Sequence, residues 1–295
     1  MADDLFIGVD GGGSHCRVRL RDASGQLLGE GAAGAGNARL RQAAFVEVMA
    51  ACHQALAAAG LGEGDFARVH AGLGLAGTQQ DDDLRAVYEW PHPFASLVAD
   101  TDAYAGWLGA FGGRDGAILI LGTGAAGTAV VDGKRMSVGG WGADIADDGS
   151  GMAIGRTALR RSLWALEGMA PTTPLAEDIL SVFARDPQKM VIWAGTATPG
   201  DFGSFAPRVF THAEQRDPMA VAILLEAAAD ASRLINRLLD IGAPAVAMIG
   251  GIFPHILPWL PPVLLPYLVE PEADAVDGAI LMAERQLQGI GTGRP

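Results

Sequence analysis

A strand, a glycine-rich turn and a second strand occur twice in this chain. The first copy is LFIGVDGGGSHCRVRLR, residues 5–21, in which an apolar run meets Asp10 and three glycines before Val18 and Leu20 alternate with arginines. The second copy starts at Ala117 with an apolar run, continues through GTGAAG and enters another strand pattern at Thr128. Both apolar runs have the length and setting of buried strands. The repeat predicts two related domains, each contributing one turn to a shared ligand.

The first turn has the composition of an anion-binding loop. Without side chains at Gly11, Gly12 and Gly13, the backbone can approach an anion and point its N–H groups towards it. Asp10 would repel a phosphate there unless a divalent cation lies between them. The turn therefore predicts Mg²⁺ held by Asp10 beside nucleotide phosphates. A tight hairpin with an acidic corner is the alternative that these residues leave open.

The composition excludes several classes of protein. The chain has 295 residues, a net charge of −13 and only 21 lysines and arginines, too few for a basic nucleic-acid-binding face. Its two cysteines cannot build a disulfide framework or an iron–sulfur site, and each is predicted to be a small buried hydrophobe. The acidic start, MADDLF, lacks the basic region of a signal peptide. No apolar run reaches the ~18 residues of a membrane span. We expect a cytoplasmic protein with no nucleic-acid or membrane partner.

Strand patterns alternate with helix patterns along the whole chain, which predicts an α/β fold. The segment GGRDG at 112–116 resembles a domain junction and divides the chain into domains at 1–114 and 115–295. A final amphipathic helix is predicted over 273–287, and it can pack back on the N-terminal domain. The other helices are predicted over 40–59, 79–88, 103–111, 152–166 and 219–239.

Other ligand-binding motifs fail in this context. The pattern G-x-G-x-x-G occurs at Gly72 and at Gly122, but a dinucleotide turn must open a helix, and a strand follows Gly122. A helix does follow the first match, yet Asp81, Asp82 and Asp83 in its first turn would compete with a phosphate. The chain has no G-x-x-x-x-G-K-[ST] loop and no G-x-S-x-G elbow, and its six histidines show no zinc-ligand spacing.

Five segments in register resemble a known family. They are FIGVDGGGSHCRVRL, VADTDAYAG, ILILGTGAAGTAVV, GGWGADIADDGSG and AMIGGIF. Their order and spacing are similar to those of the BadF/BadG/BcrA/BcrD-type N-acetylglucosamine kinases, within the actin–sugar kinase–Hsp70 superfamily, over essentially the whole chain. The resemblance implies two actin-like (ribonuclease H-like) domains, with ATP and an amino sugar in the interdomain cleft, and a homodimer.

The same resemblance implies roles for individual residues. Asp102 would be the catalytic base, and Asp10 would lie near Mg²⁺. The ATP-binding residues would be Gly11, Gly12, Gly13, Ser14, Gly122, Thr123 and Gly124 at the phosphates, with Gly250 and Gly251 at the adenosine. The sugar-binding residues would be Asn37, Asp102, Thr123, Trp141 and Asp147.

The residues by themselves leave alternatives at three of these places. Asp100 is a rival for the base, or it could cap the helix that follows. Trp141, between glycines, is either a platform for the sugar or a plug in the core. Asp147 and Asp148 could cap the helix that begins after Gly151.

The predicted function is an ATP-dependent kinase acting on the 6-hydroxyl of N-acetylglucosamine. Ala125-Ala126 stand where the animal-type kinases carry Ser-Asn, and Asp147-Asp148 replace the usual Asp-Glu, so the contact with the N-acetyl group is in question. Glucosamine, whose ammonium would pair with an extra carboxylate, is the alternative acceptor. An actin/Hsp70-type ATPase switch without a sugar is the alternative from another class. The dehydratase-activator branch of the group needs clustered cysteines, and Cys16 and Cys52 do not provide them.

Overall fold

The computed structural model describes residues 3–13 and 15–291, which form two compact units. Unit 1 runs from the start of the chain to Gly116 and resumes at Glu270, whereas unit 2 is the continuous stretch Ala117–Val269. The strands are β1 (Leu5–Gly11), β2 (Cys16–Asp22), β3 (Leu27–Ala33), β4 (Val69–Leu75), β5 (Ser96–Asp100), β6 (Gly116–Leu121), β7 (Ala125–Val131), β8 (Lys134–Gly139), β9 (Val246–Ile249) and β10 (Leu268–Val269). The helices are α1 (Gln42–Ala58), α2 (Asp81–Tyr88), α3 (Asp102–Phe111), α4 (Gly151–Leu166), α5 (Pro174–Val182), α6 (Pro187–Ala194), α7 (Pro199–Gly203), α8 (Ala206–Glu214), α9 (Pro218–Asp240), α10 (Phe253–Ile256) and α11 (Ala275–Leu287).

Each unit contains a five-stranded sheet with the same plan. In unit 1 the order is β3-β2-β1-β4-β5, with β2 antiparallel to β1 and β3, and β4 parallel to β1 and β5. In unit 2 the order is β10-β9-β6-β7-β8, with β9 parallel to β6 and β10, and β8 antiparallel to β7. The first strand of each repeat is therefore the central strand of its sheet. This confirms the predicted α/β class and the internal repeat.

Burial follows the sequence patterns that predicted the elements. β1 is a continuous buried run, and β2 alternates buried Cys16, Val18 and Leu20 with arginines. Helix α9 buries one apolar stripe through Ile223, Leu224 and Ile235. Cys16 and Cys52 are both fully buried, which confirms their prediction as core residues. Among the described residues, no helix combines the length and the apolar character needed to cross a bilayer.

The C-terminal helix α11 belongs to unit 1, where it packs on β1, β4 and α3. Glycines make this approach possible, because a methyl group added at Gly8 would lie 2.1 Å from the carbonyl oxygen of Val276. A methyl group at Gly72 would lie 1.8 Å from that of Ala279. The helix therefore lies directly on the backbone of two parallel strands.

Some predicted boundaries were wrong. The second glycine-rich turn is shorter than predicted, because β7 already begins at Ala125 and takes Ala125–Gly127 into the strand. The short strand β10 and the one-turn helix α10 were not predicted. Both are too short to carry a periodic pattern.

Candidate active site

Sheet register places acidic residues of unit 1 in one row. Asp10 pairs with Gly74 across β1 and β4, and Gly74 pairs with Asp100 across β4 and β5. All three strands are parallel, so these residues lie at the same, carboxyl-terminal edge of the sheet. Asp102 begins α3 directly after this row. Gly74 allows α3 to start close to the sheet, since a methyl group there would lie 2.4 Å from Cβ of Ala105.

Asp102 has the environment of a proton acceptor. Its Oδ1 accepts a hydrogen bond from the backbone N–H of Ala103 at 2.8 Å, and the residue is partly exposed. Burial raises the pKa of its carboxyl group to about 6, and the negative charge of Asp10 adds to this increase. A carboxyl group of this kind exchanges a proton near neutral pH.

The alternatives for Asp100 are not supported by its environment. Thr101 caps α3, with its hydroxyl accepting from the N–H of Tyr104 at 3.1 Å, so the alternative that Asp100 is the cap is wrong. Asp100 is fully buried, and its Oδ1 accepts from the N–H of Thr101 at 2.7 Å. Of the two carboxylates, Asp102 is the more accessible to a substrate.

Asp10 is held by an arginine that the sequence did not single out. Oδ2 of Asp10 lies 2.7 Å from Nη2 of Arg17, the residue opposite it on β2, and the Asp10 side chain is 21% exposed. Arg17 also lies 3.6 Å from Asp274, at the start of α11. Among the described residues, no group of three or more His, Cys, Asp and Glu side chains could hold a metal.

The first glycine turn is braced by the segment that follows β3. The N–H of Gly12 donates to the carbonyl of His15 at 2.9 Å, and the N–H of Gly36 donates to the carbonyl of Gly12 at 3.1 Å. A methyl group on Gly11 would lie 2.8 Å from the carbonyl oxygen of Gly36, whereas Gly13 has open space around it. Ser14 lies outside the described residues.

Asn37 lies next to this turn, and its side chain holds the backbone that follows it. Its Oδ1 accepts from the N–H of Arg39 at 3.0 Å and caps the 3₁₀ turn Ala38–Leu40. A methyl group on Gly77 would lie 2.3 Å from the same oxygen. The Oδ1 of Asn37 is therefore engaged by the protein, and the amide Nδ2 is the group it can offer to a ligand.

The second glycine turn, Gly122–Gly124, lies at the start of α4 in unit 2. The carbonyls of Gly122 and Thr123 accept from the N–H groups of Gly151 and Met152, at 2.8 and 3.3 Å. Ser150 caps α4, with its hydroxyl accepting from the N–H of Ala153. The alternative that Asp147 or Asp148 is this cap is therefore wrong.

Gly250 and Gly251 meet the second turn. Gly250 has a φ of 108°, and a methyl group on it would lie 2.3 Å from the carbonyl oxygen of Leu121. The N–H of Ile252 donates to the same carbonyl at 3.1 Å. The unit 2 residues predicted to bind phosphate and adenosine thus lie side by side at the end of β6.

The segment between β8 and α4 presents two of the predicted sugar contacts. Trp141 is 76% exposed, so the alternative that it is a plug in the core is wrong. Asp147 has a φ of 66°, unusual for a residue with a side chain. A methyl group on Gly124 would lie 2.9 Å from Oδ2 of Asp147, so this carboxylate lies against the glycine turn.

A cavity of about 520 Å³ opens beside these turns within unit 2. Its wall includes the Phe210 and His255 rings, which stack with centroids 4.1 Å apart and planes 3° apart. The sequence does not reveal this wall, because the two residues are far apart in the chain and carry no motif. The lining residues are Gly122, Thr123, Gly203, Pro207, Phe210, Thr211, Glu214, Gly251, Ile252 and His255.

Known proteins are similar to this chain in sequence and in fold. The profile of the BadF/BadG/BcrA/BcrD ATPase family matches residues 7–283. The glucosamine kinase GspK of Vibrio cholerae is 39% identical over 281 residues, covering 95% of this chain and 96% of its own. An N-acetyl-D-glucosamine kinase of Dictyostelium discoideum is 27% identical, covering 81% of this chain and 80% of its own. The crystal structure of a structural genomics target from Chromobacterium violaceum superimposes with a TM-score of 0.89 at 35% identity, covering 95% of this chain and 99% of that one.

The family match and the full-length similarity to GspK agree with the resemblance carried by the five sequence motifs. The chain belongs to the BadF/BadG/BcrA/BcrD ATPase family.

Proposed function

We propose that this protein is an ATP-dependent amino-sugar kinase that phosphorylates the 6-hydroxyl group of a hexosamine. The observation that carries the proposal is Asp102, a partly exposed carboxylate at the edge of the unit 1 sheet whose pKa is raised to about 6. An ATPase transfers the phosphoryl group to water and needs no site for a sugar hydroxyl. A sugar kinase does, because the attacking hydroxyl must be oriented and must lose its proton.

Asp102 performs the proton step of the proposed reaction. Its carboxylate accepts the proton of the 6-hydroxyl as the oxygen attacks the γ-phosphorus. The new O–P bond forms as the bond to the β,γ-bridging oxygen breaks, and ADP leaves with the electron pair. Phosphoryl transfer depends mostly on positioning the reactants and on neutralising charge. One carboxylate and two glycine turns are therefore the main groups that the proposed reaction needs from the protein.

Asp10 fits the proposed magnesium site. Mg²⁺ keeps several waters and takes one or two carboxylates together with substrate phosphates, so a single, partly exposed carboxylate beside a glycine turn is a suitable protein ligand. When bound, the ion would neutralise charge on the phosphates. Gly11, Gly12 and Gly13 would approach the same phosphates with their backbone, since Gly13 has open space around it.

Unit 2 supplies the proposed nucleotide site. Gly122, Thr123 and Gly124 would bind phosphates, and Gly250 and Gly251 would bind the adenosine. The cavity of about 520 Å³ supports this assignment because residues of both turns line it together with the stacked rings of Phe210 and His255. A purine can lie against such a wall, and the exposed carboxylate of Glu214 can accept hydrogen bonds from ribose hydroxyls.

Asn37, Thr123, Trp141 and Asp147 are the proposed sugar contacts besides Asp102. N-acetylglucosamine is the acceptor expected from the motifs and is the substrate named for the Dictyostelium relative. Glucosamine has the stronger support, because the relative that matches 95% of this chain at 39% identity is a glucosamine kinase. The Asp147 carboxylate against the glycine turn, with Ala125 in place of a polar residue, also suits an ammonium better than an acetamide.

The test is ADP release with Mg²⁺-ATP and no sugar, glucosamine or N-acetylglucosamine, with the product identified by ³¹P and ¹H NMR. We expect turnover that depends on a hexosamine and yields the 6-phosphate, with a higher kcat/KM for glucosamine. Turnover at the same rate with and without either sugar would favour the ATPase switch and overturn the proposal.

Omission of Mg²⁺ should abolish activity. Light scattering of the purified protein tests the expected homodimer.

A further inference from the structure

Arg41 has a backbone conformation that its side chain disfavours. It joins the 3₁₀ turn Ala38–Leu40 to α1 with φ 53° and ψ −119°, a region that favours glycine. A non-glycine residue stays in such a conformation only when surrounding contacts hold it there, and residues of this kind cluster at functional sites.

The Arg41 backbone donates to the carbonyl of Ala38 at 2.9 Å, and its side chain forms an ion pair with Asp83 in the first turn of α2. Nη2 of Arg41 lies 2.8 Å from Oδ1 of Asp83, and Asp83 is only 7% exposed. Nε of Arg39 lies farther away, 3.7 Å from the other carboxylate oxygen. A carboxylate with so little exposure depends on its cation, so the pair ties the start of α1 to the start of α2.

Asn37 lies within the segment that this pair secures. The N–H of Ala38 donates to the carbonyl of Ala76 at 2.9 Å, and Gly77 closely approaches Oδ1 of Asn37. Residues 36–41 and 76–83 are thus joined by a backbone hydrogen bond at one end and by the Arg41–Asp83 pair at the other. Asn37 directly precedes the residue that makes the backbone hydrogen bond, and its Oδ1 is held by the N–H of Arg39.

We propose that Arg41 and Asp83 are positioning residues that hold Asn37 in the orientation needed to bind the acceptor sugar. This inference rests on the proposed amino-sugar kinase function. Neither residue has to touch the substrate. Their effect passes through residues 36–41. In this segment Oδ1 of Asn37 accepts a hydrogen bond from the N–H of Arg39, which leaves Nδ2 of Asn37 to donate to the sugar.

Two variants test the pair without forcing a new backbone strain. Arg41→Gly removes the guanidinium but suits the observed φ, and Asp83→Asn removes the charge at nearly constant shape. We expect each to raise the KM for the amino sugar roughly tenfold, with a matching rise in the Kd for the sugar, measured by calorimetry without ATP. The kcat and the KM for ATP should change less than about twofold. The double variant should be no worse than either single variant, because both remove the same interaction.

Arg39→Gln is the matched control, since Arg39 is a neighbouring, exposed arginine with the longer contact to Asp83. It should change the sugar KM by less than about twofold, and Arg41→Lys should recover part of the lost affinity. Hydrogen exchange of the amides of residues 38–41 supplies a readout without turnover. These amides should exchange faster in Arg41→Gly and Asp83→Asn, while those of β1 remain unchanged.

Unchanged exchange in both variants would overturn the proposal, and so would faster exchange with a wild-type KM and Kd for the sugar. Failure of the underlying function would be recognised separately, because the wild-type protein would then show no turnover that depends on a hexosamine.

Discussion

At the scale of the residue, the proposed proton transfer depends on the single carboxylate of Asp102. Replacing it with asparagine keeps the shape but removes the proton acceptor, so kcat should fall by about 10²- to 10⁴-fold. The affinity for a non-hydrolysable ATP analogue should stay within about threefold of wild type, measured by calorimetry. Near-normal turnover would move the base to another residue, first to Asp100.

The raised pKa of Asp102 also predicts a pH-dependent stability. The folded carboxyl group titrates at about 6 against an ordinary value of 3.8, so the folded state binds its proton more tightly than the unfolded state. This contribution to stability is full below pH 3.8 and is lost as the pH rises through about 6. Asp102→Asn should therefore be more stable than wild type at pH 8, by up to about 3 kcal/mol.

Urea unfolding of both proteins at pH 8 and at the lowest pH where both remain folded measures this difference. The advantage of Asp102→Asn should shrink as the pH falls. A constant difference would mean that Asp102 titrates near its ordinary pKa in the folded protein.

His255 offers a separate residue-scale test of the nucleotide pocket. It is exposed and stacks on Phe210, so His255→Ala removes part of the ring wall without opening the core. The KM for ATP should rise roughly tenfold because base–aromatic contact is lost. The KM for the sugar, measured in the same assay, serves as the internal control. An unchanged KM for ATP would mean that the adenine of ATP does not bind against this ring.

At the scale of the element, the contact of α11 with the unit 1 sheet depends on glycines. Gly72→Ala would place a methyl group 1.8 Å from the carbonyl oxygen of Ala279, where only movement of the helix can relieve the overlap. We expect a loss of about 1–3 kcal/mol in the free energy of unfolding. Gly64→Ala is the control, because nothing lies within 4 Å of the added methyl group. Equal stabilities from chemical denaturation would contradict the close approach.

The elements also mark the limit of what the sequence could predict. Periodicity predicted the helix at 273–287 because its apolar spacing is local, and α11 spans Ala275–Leu287. The strands on which it packs could not be deduced, since the glycines that receive it lie more than 150 residues earlier in the chain. The same holds for the site. The two glycine turns are local motifs, whereas the Arg41–Asp83 pair and the Phe210–His255 stack join distant residues that no spacing connects.

At the scale of the whole molecule, unit 1 is built from both ends of the chain, and unit 2 is continuous between them. Helix α11 supplies buried Val276, Ile280 and Met282 to unit 1, and its Asp277 lies 2.7 Å from both Arg19 and Arg21 on β2. A chain ending at Val269 would leave the glycine face of β1 and β4 open to water and these arginines without Asp277. Unit 2 would keep all of its own strands and helices.

We therefore expect the chain ending at Val269 to lose hydrogen-exchange protection in β1 and β4, while β6 and α9 stay protected. A chain ending at Leu287 is the control, because it keeps the whole of α11, and it should match the full-length protein. Protection retained throughout the shorter chain would show that unit 1 folds without its last helix. Loss of protection in both units would show that they unfold together. Selective loss would instead mean that unit 1 completes its folding only after α11 has been synthesised, whereas unit 2 can fold earlier.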